Sequence, residues 1–276
     1  MDCISDNDLA ELLEDRLPAP RRAAVLAELA RCTDCRELAR QWALASIDGG
    51  RGAPAVAAAG AQLGPYRLDA LIGAGAMGLV FRGHDPTLAR DVAVKVVRAG
   101  DAAERARALA EGRLLATVRH PAVVGVHAAG TGDGVAYLAM ELVDGDSLDR
   151  VLAAGPLPWR QAARWFGGVA LGLAAAHAAG VIHRDVKPAN LLVDGATLRL
   201  ADFGLASTDG GAPAGTPAYA APEVRAGQVA TAASDQYSLC VALFESVTGR
   251  RPAGRGDWAG VPARLRPVLA RGLATA

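Results

Sequence analysis

The chain has 276 residues, of which 51% are hydrophobic and 21% charged, enough apolar side chain for one large or two small buried cores. Lys plus Arg and Asp plus Glu both count 29, so the formal net charge is zero and no basic field is available to attract nucleic acid or anionic lipid. Four cysteines in such a length argue against a disulfide scaffold; no apolar run of about 18 residues reads as a membrane span, and the acidic start MDCISDNDLAELLEDRL is no secretory leader, which points to a cytoplasmic protein.

Residues 1–45 carry helical spacings: Leu9, Leu12 and Leu13, then Val25, Leu26 and Leu29, then Leu38 and Trp42. They are expected to form a small all-α module. Residues 46–62, SIDGGRGAPAVAAAGAQ, have no apolar period and little charge, as a linker does. Residues 63–276 form the main domain. From Tyr66, short β-type runs such as DVAVKVV and VAYLAMELV alternate with glycine turns and one helical stretch, ERARALAEGRLLATV. After Ser147 helices dominate, giving an α+β layout of a β-rich lobe followed by a helical lobe. Within ASDQYSLCVALFESV, Tyr237, Cys240, Val241, Phe244 and Val247 recur at helical spacing, so a buried helix is expected with Cys240 in the core.

Glycines 73, 75 and 78 in IGAGAMGLV lie between two strand-like runs, which indicates a hairpin. Such a hairpin either is a plain tight turn or lets backbone amides approach phosphate oxygens. Lys95 sits inside the apolar run VAVKVV. Burial there is tolerable if its amine reaches a carboxylate, for which Glu111 is available, or a phosphate; the alternative is an edge strand with Lys95 facing water. Gly112, beside Glu111, weakens its helix by about 1 kcal/mol relative to alanine.

HRDVKPAN, residues 183–190, crowds polar groups onto one loop before the hairpin-like LLVDGATLRLADFG. Asp185 is placed to accept or orient a hydroxyl proton, Lys187 supplies charge for a phosphoryl group, and Asn190 offers an amide oxygen to a hard cation. Asp202 in ADFGLA could bind the same metal, and magnesium suits such oxygen ligands. His183 is expected to support the loop through hydrogen bonds, while His84, His120, His127 and His177 show no metal spacing and are expected to be structural.

Taken together, GAGAMGLV, VAVK, HRDVKPAN, DFG, GTPAYAAPE and SDQYS resemble, in order and context, the eukaryotic-type protein kinase family, specifically bacterial serine/threonine kinases. The resemblance covers about residues 66–273 and implies the two-lobed kinase fold and transfer of the γ-phosphate of ATP to protein Ser or Thr. By that resemblance Ile72, Gly73, Gly75, Gly78, Val80, Ala93 and Leu192 line the ATP site, Lys95 pairs with Glu111 and holds the α- and β-phosphates, and Met140, Glu141 and Val143 form the gatekeeper and hinge. It likewise implies that Asp185 is the base, that Asn190 and Asp202 hold magnesium, and that Asp235 anchors the catalytic-loop backbone. Lys187 and Thr216 match the hydroxyl-directed members, and Thr208 is the candidate activation-loop phosphosite.

Two departures stand out. The carboxyl-terminal lobe looks short, leaving Glu223 of APE without the arginine that usually pairs with it, so either another arginine such as Arg225 or Arg271 substitutes or the lobe is exposed and unstable. If none substitutes, a nucleotide-binding scaffold with little turnover becomes the alternative. At the amino terminus, Glu28, Cys32 and Cys35 with Cys3 upstream resemble the zinc-binding helical unit of anti-sigma factors, with Glu28 in the place of the usual histidine. That resemblance implies a zinc site and a transcription regulator as partner; a vestigial fold held by its leucines is the alternative.

Overall fold

The structure, a computed structural model, describes residues 4, 5, 8, 11, 12, 17–32, 61–75, 78–97, 102–132, 134–204, 216–254 and 256–274. Cys3, Leu9, Leu13, Cys35, Leu38, Trp42, Thr208 and almost all of the expected linker lie outside these residues. The chain divides into two compact units, one comprising Met1–Ala116 with Gly125–Leu142 and the other Thr117–Val124 with Val143–Ala276.

The first unit is built on an antiparallel sheet. Its strands are β1 (Gln62–Leu63), β2 (Tyr66–Gly75), β3 (Gly78–Asp85), β4 (Arg90–Val97), β5 (Val126–Gly132) and β6 (Val135–Glu141), in the order β1-β2-β3-β4-β6-β5. Side chains alternate between faces along a strand, and partners across an antiparallel ladder share a face. Lys95 pairs with Val80 and Leu138, and Ala93 with Arg82 and Met140, so these side chains share one face. Val92, Val94 and Val96 point to the other. Both faces are covered, because every residue of β4 from Val92 to Val97 is buried.

Helix α2 (Ala102–Leu115, numbered after α1 at Ala19–Arg31) presents Ala108, Gly112 and Leu115 inward at spacings of four and three. Gly112 is there for clearance: a Cβ at this position would lie 2.4 Å from Leu138 Cδ2. The local helix penalty of glycine is therefore accepted for close helix-to-sheet approach.

The opposite face of the sheet is covered by the amino-terminal segment. Phe81, Val92, Val94, Val96, Tyr137 and Ala139 belong to one hydrophobic cluster with Ile4, Leu12, Leu17, Val25 and Leu29. Helix α1 begins after Pro18 with Pro20 in its first turn, where a missing N–H costs nothing, and buries Val25 and Leu29 while Ala24 and Ala27 face water. Burying a leucine or valine of this kind contributes about 1.5–3 kcal/mol. Ser5 and Asp8 satisfy each other's backbone N–H groups in the reciprocal manner of a capping box. Arg21 of α1 then grips both oxygens of Asp8, Nε to Oδ1 at 2.9 Å and a terminal nitrogen to Oδ2 at 2.7 Å.

The second unit is mainly helical: α3 (Leu148–Leu152), α4 (Trp159–Ala178), the hairpin β7 (Leu191–Asp194) and β8 (Thr197–Leu200), α5 (Pro222–Arg225), α6 (Ala232–Thr248) and α7 (Arg266–Gly272). Helix α4 buries Ala162, Trp165, Phe166, Val169, Leu173 and Ala176, a stripe at three- and four-residue spacing that packs against α6 and β8. Helix α6 opens on a Thr231–Ser234 capping box and closes on Gly249 with φ 73°, the left-handed cap that glycine adopts without strain. Cys240 is buried in α6 as expected, with burial pushing its thiol up to about 11. No helix among the described residues is long and apolar enough to cross a membrane.

Candidate active site

HRDVKPAN forms a loop between α4 and β7, closing with a single turn of 3₁₀ helix at Pro188–Asn190. A proline at the start of that turn fixes its φ and gives up no needed donor. Asp185, Lys187 and Asn190 are all buried, with 7%, 8% and 8% exposure. The Oδ1 of Asp185 accepts the Thr216 backbone N–H at 3.0 Å and the Thr216 hydroxyl at 3.2 Å. Its Oδ2 accepts Asn190 Nδ2 at 3.1 Å and lies 3.0 Å from Lys187 Nζ. Lys187 Nζ also donates to Thr216 Oγ1 at 2.7 Å. Three residues from two separate motifs, Lys187, Asn190 and Thr216, thus converge on the Asp185 carboxylate.

Asn190 is fixed by its amide nitrogen, which also donates to the Asp185 carbonyl at 2.8 Å. With the nitrogen so used, the amide oxygen is left as the acceptor, which fits a hard cation. The Asn190 carbonyl accepts the Ala201 N–H at 2.9 Å, and this bond places the half-buried Asp202 next in the chain beside it. An amide oxygen and a carboxylate form a donor set suited to magnesium. Among the described residues no group of three or more His, Cys, Asp or Glu side chains could hold a metal, as a structural zinc site would require.

The loop is held from below by Asp235 of α6. Its Oδ1 accepts the Arg184 N–H at 2.8 Å, and its Oδ2 accepts the His183 N–H at 2.8 Å and contacts His177 Nε2 at 2.8 Å. Arg184 and Asp202 have φ of 69° and 60°, a left-handed conformation that costs a residue with a Cβ about 1–2 kcal/mol. The anchoring bonds supply the compensation, as Arg184 also donates to the Gly204 carbonyl at 3.1 Å. His183 is a support, as its sequence context indicates: Nε2 faces the Ala201 carbonyl at 2.9 Å, and Nδ1 accepts the Asp185 N–H at 3.3 Å. Burial lowers its pKa despite the nearby Asp235, so the ring is held neutral. His177 has a role that spacing did not reveal, since its contact with Asp235 depends on two helices coming together.

Beyond Thr216, the Tyr219 hydroxyl donates to Glu245 at 2.6 Å, which ties this segment to α6; burial and that carboxylate push the phenol well above its usual range. Glu223 is half-buried, and among the described residues neither Arg225 nor Arg271 pairs with it.

In the first unit, the glycine-rich stretch is the β2–β3 hairpin, with Gly73 opposite Val80 and Gly75 opposite Gly78. Ile72, at a register shift just before Gly73, is exposed. Lys95 is 3% exposed and therefore lies on a buried strand, not on a solvent-facing edge. It shares its face with Val80, Ala93 and Met140, and Glu111 lies on α2, which packs on that face through Gly112 against Leu138. The Glu141 N–H donates to the Gly125 carbonyl at 2.8 Å. In the second unit Val143 and Leu192 are half-buried, Leu192 forming an isolated bridge with Ser147. In the amino-terminal segment, Glu28 and Cys32 adjoin through the Cys32 N–H to Glu28 carbonyl bond at 2.8 Å, and Cys32 packs half-buried against the hydrophobic cluster.

A six-stranded antiparallel sheet in one unit, and in the other a helical body carrying a catalytic-type loop clamped by a buried aspartate, define the two-lobed phosphotransferase fold. Residues 66–260 match the protein kinase domain, and the chain belongs to that family. It is 40% identical over 218 residues to the serine/threonine-protein kinase PknJ of Mycobacterium tuberculosis, a match covering 74% of this chain and 37% of the relative. To PknA of the same species it is 42% identical over 211 residues, covering 70% of this chain and 49% of the relative. The chain thus spans half or less of the length of these curated relatives. The crystal structure of the M. tuberculosis PknI kinase domain superposes with a TM-score of 0.67 at 34% identity, covering 79% of this chain and 91% of that one.

Proposed function

We propose that the chain is a serine/threonine protein kinase of bacterial signalling, transferring the γ-phosphate of ATP to a protein hydroxyl. The observation that carries this reading is the convergence of Lys187, Asn190 and Thr216 on the Asp185 carboxylate. In this mechanism a substrate hydroxyl oxygen attacks the γ-phosphorus, the bond from that phosphorus to the bridging oxygen breaks, ADP leaves, and the hydroxyl proton passes to Asp185. Lys187, whose Nζ lies 3.0 Å from the Asp185 carboxylate, would offset the charge of the transferred group. Asn190 and Asp202 would hold magnesium, which when bound neutralises phosphate charge. Lys95, paired with Glu111, would hold the α- and β-phosphates; Gly73, Gly75 and Gly78 would offer backbone amides to the phosphates. Ile72, Val80, Ala93, Met140 and Leu192 would enclose the adenine, with hinge groups from Glu141 to Val143 hydrogen-bonding its edge. Such an activity needs the ATP supply of the cytoplasm. Thr208 remains the candidate for phosphate-dependent control.

A second reading, a nucleotide-binding regulator with little turnover, is favoured by one observation: the half-buried Glu223 has no ionic partner among the described residues. Thermal-shift titration with Mg-ATP alongside transfer of labelled phosphate separates the two. Binding with transfer is expected; binding without it establishes the regulator.

The amino-terminal cysteines support a finer reading, in which Cys3, Glu28, Cys32 and Cys35 bind zinc and the segment recruits a transcription regulator. Elemental analysis of the purified chain tests it, and zinc well below one equivalent refutes it.

A further inference from the structure

Five apolar side chains of the amino-terminal segment, Ile4, Leu12, Leu17, Val25 and Leu29, are buried in the same cluster as the sheet of the ATP-binding lobe. Leu12, Val25 and Leu29 are 1%, 2% and 0% exposed, which two short helical pieces could not achieve by packing only on each other. The sheet has the reciprocal need. Its face carrying Phe81, Val94 and Tyr137 would otherwise be a broad apolar surface, of a kind soluble domains rarely leave open.

The face so covered is defined by strand parity. Val92, Val94 and Val96 alternate with Ala93, Lys95 and Val97 along β4, and Tyr137 and Ala139 alternate with Leu138 and Met140 along β6. The segment therefore sits on the side away from Lys95 and α2. It can brace the strands from which Lys95 projects without occupying the face that Lys95 and α2 share. The segment is also internally clamped: Arg21 grips both oxygens of Asp8, and Asp8 and Ser5 cap each other.

We infer that the segment from Ile4 to Leu29 is an intramolecular partner of the ATP-binding lobe, seated on the sheet face opposite Lys95, and that the stability of that lobe depends on it. The amino-terminal residues from Ile4 to Leu29 are accordingly a built-in part of the ATP-binding lobe, whatever else they bind.

The test uses the full chain with a specific protease site inserted between residues 46 and 60. After cleavage the pieces should co-elute on gel filtration at micromolar concentration, or, if they separate, the remainder should melt several degrees lower and bind more of the dye ANS. In the uncut chain, Val25→Asp with Leu29→Asp should lower the unfolding temperature by several degrees, whereas Ala24→Asp on the exposed side of the same helix should leave it near the parent value. Separation with an unchanged unfolding temperature, or a Val25→Asp/Leu29→Asp protein that melts with the parent, overturns the proposal.

Discussion

Asp235 and His183 are 52 residues apart in the chain, yet the aspartate Oδ2 accepts the His183 backbone N–H at 2.8 Å inside the helical lobe. The same carboxylate holds the Arg184 N–H and contacts His177, so one buried side chain of α6 fixes both the height and the direction of the catalytic loop. Asp235→Ala leaves two backbone donors without their acceptor, each costing about 1–3 kcal/mol. Urea unfolding should show a loss of about 3 kcal/mol. Steady-state kinetics should show kcat falling more than KM rises, because Asp185 is displaced while the nucleotide-facing strand is untouched.

Asp185 and Thr216 separate chemistry from positioning. Asp185→Asn keeps the shape and removes the carboxylate proposed to accept the hydroxyl proton, so transfer of labelled phosphate should fall by about a hundredfold or more. Thr216→Val removes one hydroxyl from the cluster and should lower kcat by about tenfold, the effect of losing one hydrogen bond to a charged group. Equal incorporation by Asp185→Asn and the parent would refute the assignment of Asp185.

The Asp8–Arg21 clamp makes a pH prediction. The guanidinium, with help from the Ser5 hydroxyl, lowers the Asp8 carboxyl to about 2 from an ordinary value near 3.8. A carboxyl lowered by folding contributes stability that is fully present above its unfolded value and is lost as pH falls through its folded one. The parent should therefore lose stability between about pH 4 and pH 2 more steeply than Asp8→Asn. Thermal unfolding across that range measures the difference, and parallel curves would show that the clamp contributes nothing.

Gly112→Ala opposes two effects. Helix propensity favours alanine by about 1 kcal/mol, but its Cβ would meet Leu138 Cδ2 at 2.4 Å in a filled core, where overpacking costs about 1–3 kcal/mol. A net loss of about 1 kcal/mol is expected. Leu138→Ala in the same chain should reverse the sign of the Gly112→Ala effect in a double-mutant cycle.

Much of this architecture is legible in the sequence, for identifiable reasons. The loop around Asp185 is legible because Asp185, Lys187 and Asn190 are near neighbours in sequence and short-range geometry alone makes them meet. The β2–β3 hairpin follows from glycines set between two strand-like runs, whereas the apolar run around Lys95 leaves burial and a solvent-facing edge both open until β3 and β6 are seen on either side of it. Long-range complementarity is harder to read. The spacing of Val25 and Leu29 marks a helix with an apolar side but is silent about the sheet that covers it. Gly112 reads as a weak point until Leu138 is seen against it, and His177 has no visible purpose until α4 meets α6. That Glu223 lacks its usual partner is legible in the sequence, but which of the two alternatives holds is not, because charge matching in a sequence carries no geometry; among the described residues neither Arg225 nor Arg271 pairs with it.

The ring of contacts at Asp185 has a further consequence. A carboxylate offers about four lone-pair sites, and here Thr216 N–H, the Thr216 hydroxyl, Lys187 and Asn190 supply four donors. The acceptor is saturated at rest. On the proposed kinase reading an arriving serine or threonine would have to displace a resident donor, and the Thr216 hydroxyl is the chemical twin of what it brings. On that reading Thr216 would serve as a placeholder, keeping the carboxylate aimed until an exchange of one alcohol for another admits the substrate.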